Sequence, residues 1–248
     1  MARTTTKYSF KAALGTLPRG DPLTPELLAA NGVDGKQASY LARHGWLVRL
    51  GRGAYMLPGD PLTGEGCLAF LSSRVAGLHV AGKTALAWRG VRHNLTTVEV
   101  VELWGDASAV IPRWLSARFQ CHYQTTQIFD AALPQGLGLA PLPDGRPEVL
   151  VSTPERALLE MLSDLGKTQT WDETRNLVET VRNLREPLMA ELVAHLTRIK
   201  VARLATQFAE EMSAPWLSVA SLASKRLGGG ARWTAKTKTG EVLSLKRQ

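Results

Sequence analysis

Two stretches of this 248-residue chain place chemistry-bearing side chains at suggestive spacings. The first is "GLHVAGKT", Gly77 to Thr84, which satisfies the G-x-x-x-x-G-K-[ST] pattern of a phosphate-binding loop. In such a loop glycine amides cradle phosphate oxygens, Lys83 would reach the terminal ones, and Thr84 would hold Mg²⁺. The second is "GKQASYLARHGWLVRLGRGAYML", Gly35 to Leu57, which scatters Lys36, Arg43, Arg49 and Arg52 among Gln37, Ser39 and Tyr40. Cations of this kind grip nucleic-acid phosphates, and Gln, Ser and Arg can read base edges.

The elements around each stretch favour the second. A phosphate loop joins a buried strand to a helix, whereas the segment before Gly77, "CLAFLSSRVAG", reads as helix. Leu78, His79 and Val80 are bulky where small residues help, and the chain offers too few strand–helix units for a nucleotide-binding sheet. The competing expectation is a helix that follows Gly82 and turns Ala85, Leu86 and Trp88 inward. A P-loop NTPase fused to a DNA-binding module stays as the alternative.

Other catalytic patterns are weak. The five histidines, at 44, 79, 93, 122 and 195, show no metal-ligand spacing with cysteine or carboxylate. Cys121 and His122 are adjacent, which in a strand sends them to opposite faces. No Glu-x-Lys marks a metal-dependent nuclease, and no Asp-x-Asp or Asp-x-Glu marks a nucleotidyltransferase. Glu155, Arg156 and Glu160, near the start of "TPERALLEMLSDLG", read as a structural ion network. The expectation is a protein that is not an enzyme and needs no cofactor or metal.

In the second stretch, Gly35 to Leu57, the local signals agree with one another. "TPELLAANG" offers Thr24 as N-cap, Pro25 at the first helical position, Glu26 in the first turn and Gly32 as the stop. Asp34 or Gly35 caps a second helix, Lys36 to His44, closed by Gly45. Ala38, Leu41 and Ala42 share its inner face at i, i+3, i+4 spacing. Lys36, Gln37, Ser39, Tyr40 and Arg43 are left outside. "WLVRL" and "AYML" then read as strands turned by "GRG". With a helix expected over "KYSFKAAL" (residues 7–14), the order is that of a winged helix-turn-helix, residues 1–58, in which the last helix enters the major groove and the wing meets backbone. A winged helix serving only protein contacts is the bland alternative.

Charge is distributed to match. The net charge is +8, with eight Lys/Arg against three Asp/Glu in residues 1–58 and seven against one in residues 225–248, while the middle is slightly acidic. Segregated basic ends point to a polyanion. The second basic cluster, Lys225, Arg226, Arg232, Lys236 and Lys238, falls in "SKRLGGGARWTAKTKTGEVLSLKRQ", which reads as a terminal β-hairpin. The Pro/Gly-rich run "PGDPLTGEG" (58–66) marks residues 59–66 as a linker to a larger mixed helix/sheet domain, residues 67–248, giving an α+β class. No apolar run approaches a membrane span, the first residues lack a signal peptide's apolar centre, and two cysteines fit free thiols in a reducing cytoplasm.

Taken in order, "YLARHGWLVRLGRGAYMLP", "HVAGKTALAWRG", "VSTPERALLEML", "RIKVARLATQFAEEMSAPW" and "LGGGARW…TGEVLSL" resemble the AbiEi-type antitoxins, transcriptional regulators of bacterial abortive-infection (phage-defence) operons. The resemblance covers nearly the whole chain. It implies an autorepressor that binds inverted repeats in double-stranded operator DNA. It also implies neutralisation of a nucleotidyltransferase-type toxin without a stable complex, the type IV behaviour. The family's DNA contacts lie in the winged helix, on the positions occupied here by Lys36 to Arg43 and Arg49 to Arg52.

Overall fold

The computed structural model describes residues 15–92, 100–181, 184–228, 233–236 and 242–245. The helix expected over residues 7–14 lies outside them. The chain divides into two compact units, one of residues up to Val75 together with Ala109–Gln120, the other of Ala76–Ser108 with Cys121 onward.

In the first unit, helix α1 (Pro25–Ala30) starts as the sequence implies. Thr24 accepts the Leu27 amide at 3.2 Å and Pro25 occupies the first turn. Asn31 closes it, and Gly32 takes φ +78°, a left-handed value that costs glycine little. Helix α2 (Gly35–Arg43) is held by a reciprocal cap: Asp34 Oδ1 accepts the Gln37 amide at 2.8 Å, and Gln37 Oε1 accepts the Asp34 amide at 2.9 Å. Strand β1 (Val48–Gly51) and strand β2 (Ala54–Met56) form an antiparallel hairpin with an irregularity between Arg49 and Gly51. A bridge from Leu23 to Tyr55 adds a third edge, with N–H···O bonds of 2.7 and 2.9 Å. Leu17, Leu23, Leu28, Val33, Ala38, Leu41, Leu47, Tyr55 and Leu57 bury against one another beneath both helices and the hairpin. Each fully buried leucine there contributes about 1.5–3 kcal/mol.

The expected linker differs. Residues 59–66 run into helix α3 (Gly64–Ser72), whose cap Thr63 accepts the Gly66 amide at 3.0 Å and is tied by its own amide to Gly20 O at 2.8 Å. The glycines that read as flexible serve close approach instead. A Cβ on Gly66 would stand 2.3 Å from Asp21 Oδ1, and one on Gly64 would stand 3.3 Å from Phe119. Helix α3, expected to open the second domain, therefore clusters with the first unit.

The second unit centres on a five-stranded mixed sheet. Its strands are β3 (His79–Val80), β4 (Val101–Trp104), β5 (Cys121–Gln124), β6 (Leu139–Ala140) and β7 (Val151–Ser152), in the order β5-β4-β3-β7-β6. β3 runs antiparallel to β4 and parallel to β7, β4 is parallel to β5, and β6 is antiparallel to β7. The connection from β4 to β5 carries a short helix, α5 (Arg113–Ser116), which belongs to the first unit. Helix α4 (Gly82–Trp88) follows β3, and helix α6 (Pro154–Asp164) follows β7 with all but two of its residues buried.

Helices α7 (Trp171–Thr180), α8 (Glu186–Ala194), α9 (Ile199–Glu211) and α10 (Leu217–Leu227) complete the packing. Phe208 of α9 is fully buried and stacks on Trp171 at 5.1 Å. Helix α10 corrects the terminal hairpin expected from Ser224 onward, because Ala220, Ala223 and Ser224 bury one helical face. The hairpin itself is confined to β8 (Trp233–Lys236) and β9 (Val242–Leu245), paired from Trp233↔Leu245 to Lys236↔Val242.

Candidate nucleic-acid interface

Helix α2 buries Ala38 and Leu41 and turns Lys36, Ser39, Tyr40 and Arg43 to solvent. Ser39 Oγ donates to Gly35 O at 2.9 Å, and Arg43 Nε reaches Ser39 O at 3.4 Å, a weak bond that leaves the guanidinium free to move outward. Tyr40, 54% exposed, stacks on His44 with ring centroids 3.9 Å apart, and His44 Nδ1 lies 2.8 Å from Tyr40 O. Gln37 departs from expectation. It is half-buried and its carbonyl is spent on the cap, so only its amide NH₂ can face a base.

The hairpin presents Arg49 on β1 and Arg52 at the turn, both exposed, while Ala54, Tyr55 and Met56 are buried beneath. Gly53 takes φ +65°, which makes the tight turn possible. Among the described residues, the first unit's one ion pair joins Arg19 to Asp60 at 2.9 Å; Lys36, Arg43, Arg49 and Arg52 are paired with no carboxylate. These cations are spread over one helix and the adjoining hairpin, on the solvent side of a shared core.

Residues beyond position 58 brace that hairpin, and local sequence signals could not reveal them. Trp114 of α5 sits so close to Gly51 that a Cβ there would be 2.9 Å from its ring, and Trp114 meets Phe70 of α3 edge-on at 5.4 Å.

The Gly77–Thr84 segment is built differently. β3 lies inside the motif, not before it, and α4 begins at Gly82. The Gly82 amide donates to Glu160 Oε2 at 3.1 Å, so a phosphate would find that donor occupied. Lys83 pairs with Glu173 at 3.1 Å, and Thr84 Oγ1 is buried, accepting the Glu102 amide at 3.1 Å. Ala85 and Leu86 are fully buried and Trp88 half-buried, which agrees with a helix start.

Glu160 is the hub of this region. Its oxygens also accept from Ser152 Oγ at 2.8 Å and Arg156 Nε at 2.9 Å and lie 3.1 Å from His79 Nε2. Burial pushes its carboxyl upward, but the charges and hydrogen bonds of His79 and Arg156 outweigh this and hold it well below the usual carboxylate range. Glu155 behaves likewise: burial acts upward, and the Arg185 fork and amide (2.8–3.0 Å) bring it down.

The other histidines with carboxylate neighbours are His122 with Glu102 and His195 with Asp130, each at 2.8 Å. No group of three His, Cys, Asp or Glu side chains is placed to hold a metal among the described residues. No described helix is long and apolar enough to cross a membrane. Both cysteines are free thiols, and burial pushes that of Cys121 up.

Among the described residues, the C-terminal basic cluster is divided between a helix and the hairpin. Lys225 and Arg226 end α10, where a positive charge complements the helix dipole, and Arg226 donates to Leu196 O at 2.9 Å. Lys236 lies on β8, while Arg232, Lys238 and His93 fall outside the described residues.

Comparison with known proteins gives the fold and the family. Of solved structures, one from Mycobacterium tuberculosis, the RV2827C protein, is similar in fold with a TM-score of 0.55 and 15% identity over 93% of this chain and 88% of that one. No curated protein matches the chain. Residues 6–97 match the family described as "Transcriptional regulator, AbiEi antitoxin N-terminal domain", and residues 98–245 match "Transcriptional regulator, AbiEi antitoxin, Type IV TA system". With an α+β fold, a wing-like hairpin after paired helices and both halves matched, the chain belongs to the AbiEi family of type IV toxin–antitoxin transcriptional regulators and antitoxins, which is not a family of enzymes.

Proposed function

We propose that the protein is an autorepressor that reads inverted repeats in its own promoter, with α2 in the major groove and the β1–β2 wing on the flanking backbone. Lys36, Ser39, Tyr40 and Arg43 face bases or the groove wall, and Gln37 serves mainly as the cap that fixes the helix start. Arg49 and Arg52 meet phosphates. DNA reading falls to the first unit, and antitoxin action against a nucleotidyltransferase-type toxin, without a stable complex, falls to the second. Both act in the cytoplasm, where operator and toxin are found. The observation that carries this reading is the set of exposed cations on α2 and the wing that, among the described residues, have no carboxylate partner.

Titration of the purified chain with its promoter duplex and a scrambled duplex tests it. Arg43→Ala is expected to cost about 1–3 kcal/mol on the promoter and much less on the scrambled DNA, because base contacts carry sequence information. Arg52→Ala is expected to weaken both alike and to lower the salt slope by about 0.9. Wild-type binding by both variants, with unchanged melting, would mean that the winged helix serves another partner.

A further inference from the structure

Arg74 follows α3, outside the winged helix as bounded from sequence, yet it stands at the wing tip. Its Nη2 donates to Gly53 O at 2.9 Å, the carbonyl of the residue after Arg52. The guanidinium lies over the Phe70 ring at 4.4 Å, and Phe70 is itself fixed edge-on by Trp114. The side chain is exposed and, among the described residues, ion-paired with no carboxylate. Its acidic neighbour is Glu26 in the first turn of α1. That carboxyl is held below its usual range first by its own backbone amide and the Thr24 hydroxyl, with Arg74 a lesser influence, and it forms no ion pair with Arg74 among the described residues.

We propose that Arg74 is a phosphate-binding residue of the DNA surface, a second cation at the wing tip beside Arg52 and supplied by a different element. This rests on the DNA reading proposed above. One N–H of the five is used by Gly53 O, and stacking on Phe70 fixes the plane of the fork, so donors remain for a phosphate oxygen in a pre-organised geometry. A side chain already held in place loses less freedom on binding than a free one. The surface thus extends past α2 and the hairpin to the end of α3, and Phe70 and Trp114 act as positioning residues for both cations.

The test uses the full-length chain, its promoter duplex, a scrambled duplex of equal length and several salt concentrations. Arg74→Gln keeps a polar side chain but carries no charge; it is expected to weaken both duplexes alike and to flatten the log–log salt slope by about 0.9. Arg74→Lys keeps the charge and should keep the slope. An unaltered slope for Arg74→Gln, with Arg52→Ala flattening it, would reduce Arg74 to a buttress and overturn the proposal while leaving the DNA reading intact. Equal losses for Gln and Lys would do the same, since shape and not charge would be at work. If Arg43→Ala and Arg52→Ala also bind like wild type, the DNA reading itself fails and this proposal with it.

Discussion

The α2–wing surface and the Gly77–Thr84 segment contain the same raw materials: glycines, a lysine or arginine, and hydroxyls near a helix start. On α2 and the wing, Lys36, Arg43, Arg49 and Arg52 point to solvent and, among the described residues, are ion-paired with no carboxylate. In the second, the Gly82 amide, Lys83 and Thr84 are all engaged, by Glu160, Glu173 and the Glu102 amide. The difference teaches that a motif has chemistry to offer only where its donors are unspent. A phosphate must displace whatever already satisfies them, and a buried carboxylate with four partners is a poor group to displace.

The sharpest way to break the contrast is to remove the hub. Glu160→Ala leaves His79, Arg156 and the Gly82 amide without their acceptor in a dry site and is expected to cost about 3–5 kcal/mol in chemical denaturation. The hub also predicts an acid limb. Because the folded Glu160 titrates below its unfolded value, its contribution is full above about pH 4.5 and is lost as pH falls through the folded value. Glu160→Gln should therefore change less in stability than wild type between about pH 6 and about pH 3; identical pH profiles would mean that folding does not shift the carboxyl at all.

The next effect sharpens the boundary between the units. Gly66→Ala forces a Cβ against Asp21 and Thr63 and is expected to destabilise the chain by about 1–3 kcal/mol, whereas a true linker glycine would tolerate the change. Gln37→Ala comes after it. The variant should lose about 0.5–1 kcal/mol of stability through the cap and bind promoter and scrambled DNA with the same ratio as wild type. A selective loss on the promoter would restore Gln37 as a base reader. Lys83→Ala should be smallest, below about 1 kcal/mol by thermal melting, because it removes a half-exposed pair with Glu173. Wild-type protein should show no melting shift with Mg-ATP; a shift abolished by Lys83→Ala would overturn the assignment of that segment.

The winged helix was legible because its signals are local: Thr24 and Asp34 cap within three residues, Gly32 and Gly45 stop the helices at positive φ, and Leu41 pairs with Ala38 on one face. The central sheet was only partly legible. Strands such as β3 and β7 are two residues long, so they are set by neighbours far away in sequence, not by propensity. The 59–66 segment misled because Pro and Gly report flexibility and close packing with the same letters; Asp21 and Phe119 decide between them. Of the proposed DNA surface, Lys36, Ser39, Arg43, Arg49 and Arg52 could be read from the sequence pattern. Gln37 lies outward by periodicity, yet its spacing from Asp34 is that of a reciprocal cap, and the cap takes it; Arg74's place at the wing could not be read, because it needs a contact 21 positions apart.

The route of the chain through Ala109–Gln120 bears on synthesis and on gene dissection. The polypeptide leaves the first unit after Val75, lays down β3, α4 and β4, returns to supply Trp114, and only then departs for good. On the ribosome, the helices α1 and α2 and the wing emerge early but wait for about 58 further residues, from Met56 to Trp114, before Trp114 can close against Gly51, a delay of about 3–12 seconds at usual translation rates. A fragment cut at the end of the winged helix as bounded from sequence, or at the boundary between the two matched segments, keeps every exposed cation of α2 and the wing and lacks Trp114, the indole packed on Gly51. The isolated N-terminal piece therefore lacks a packing partner that its wing has in the whole protein, and a fragment meant to reproduce the first unit should carry residues 109–120 as well.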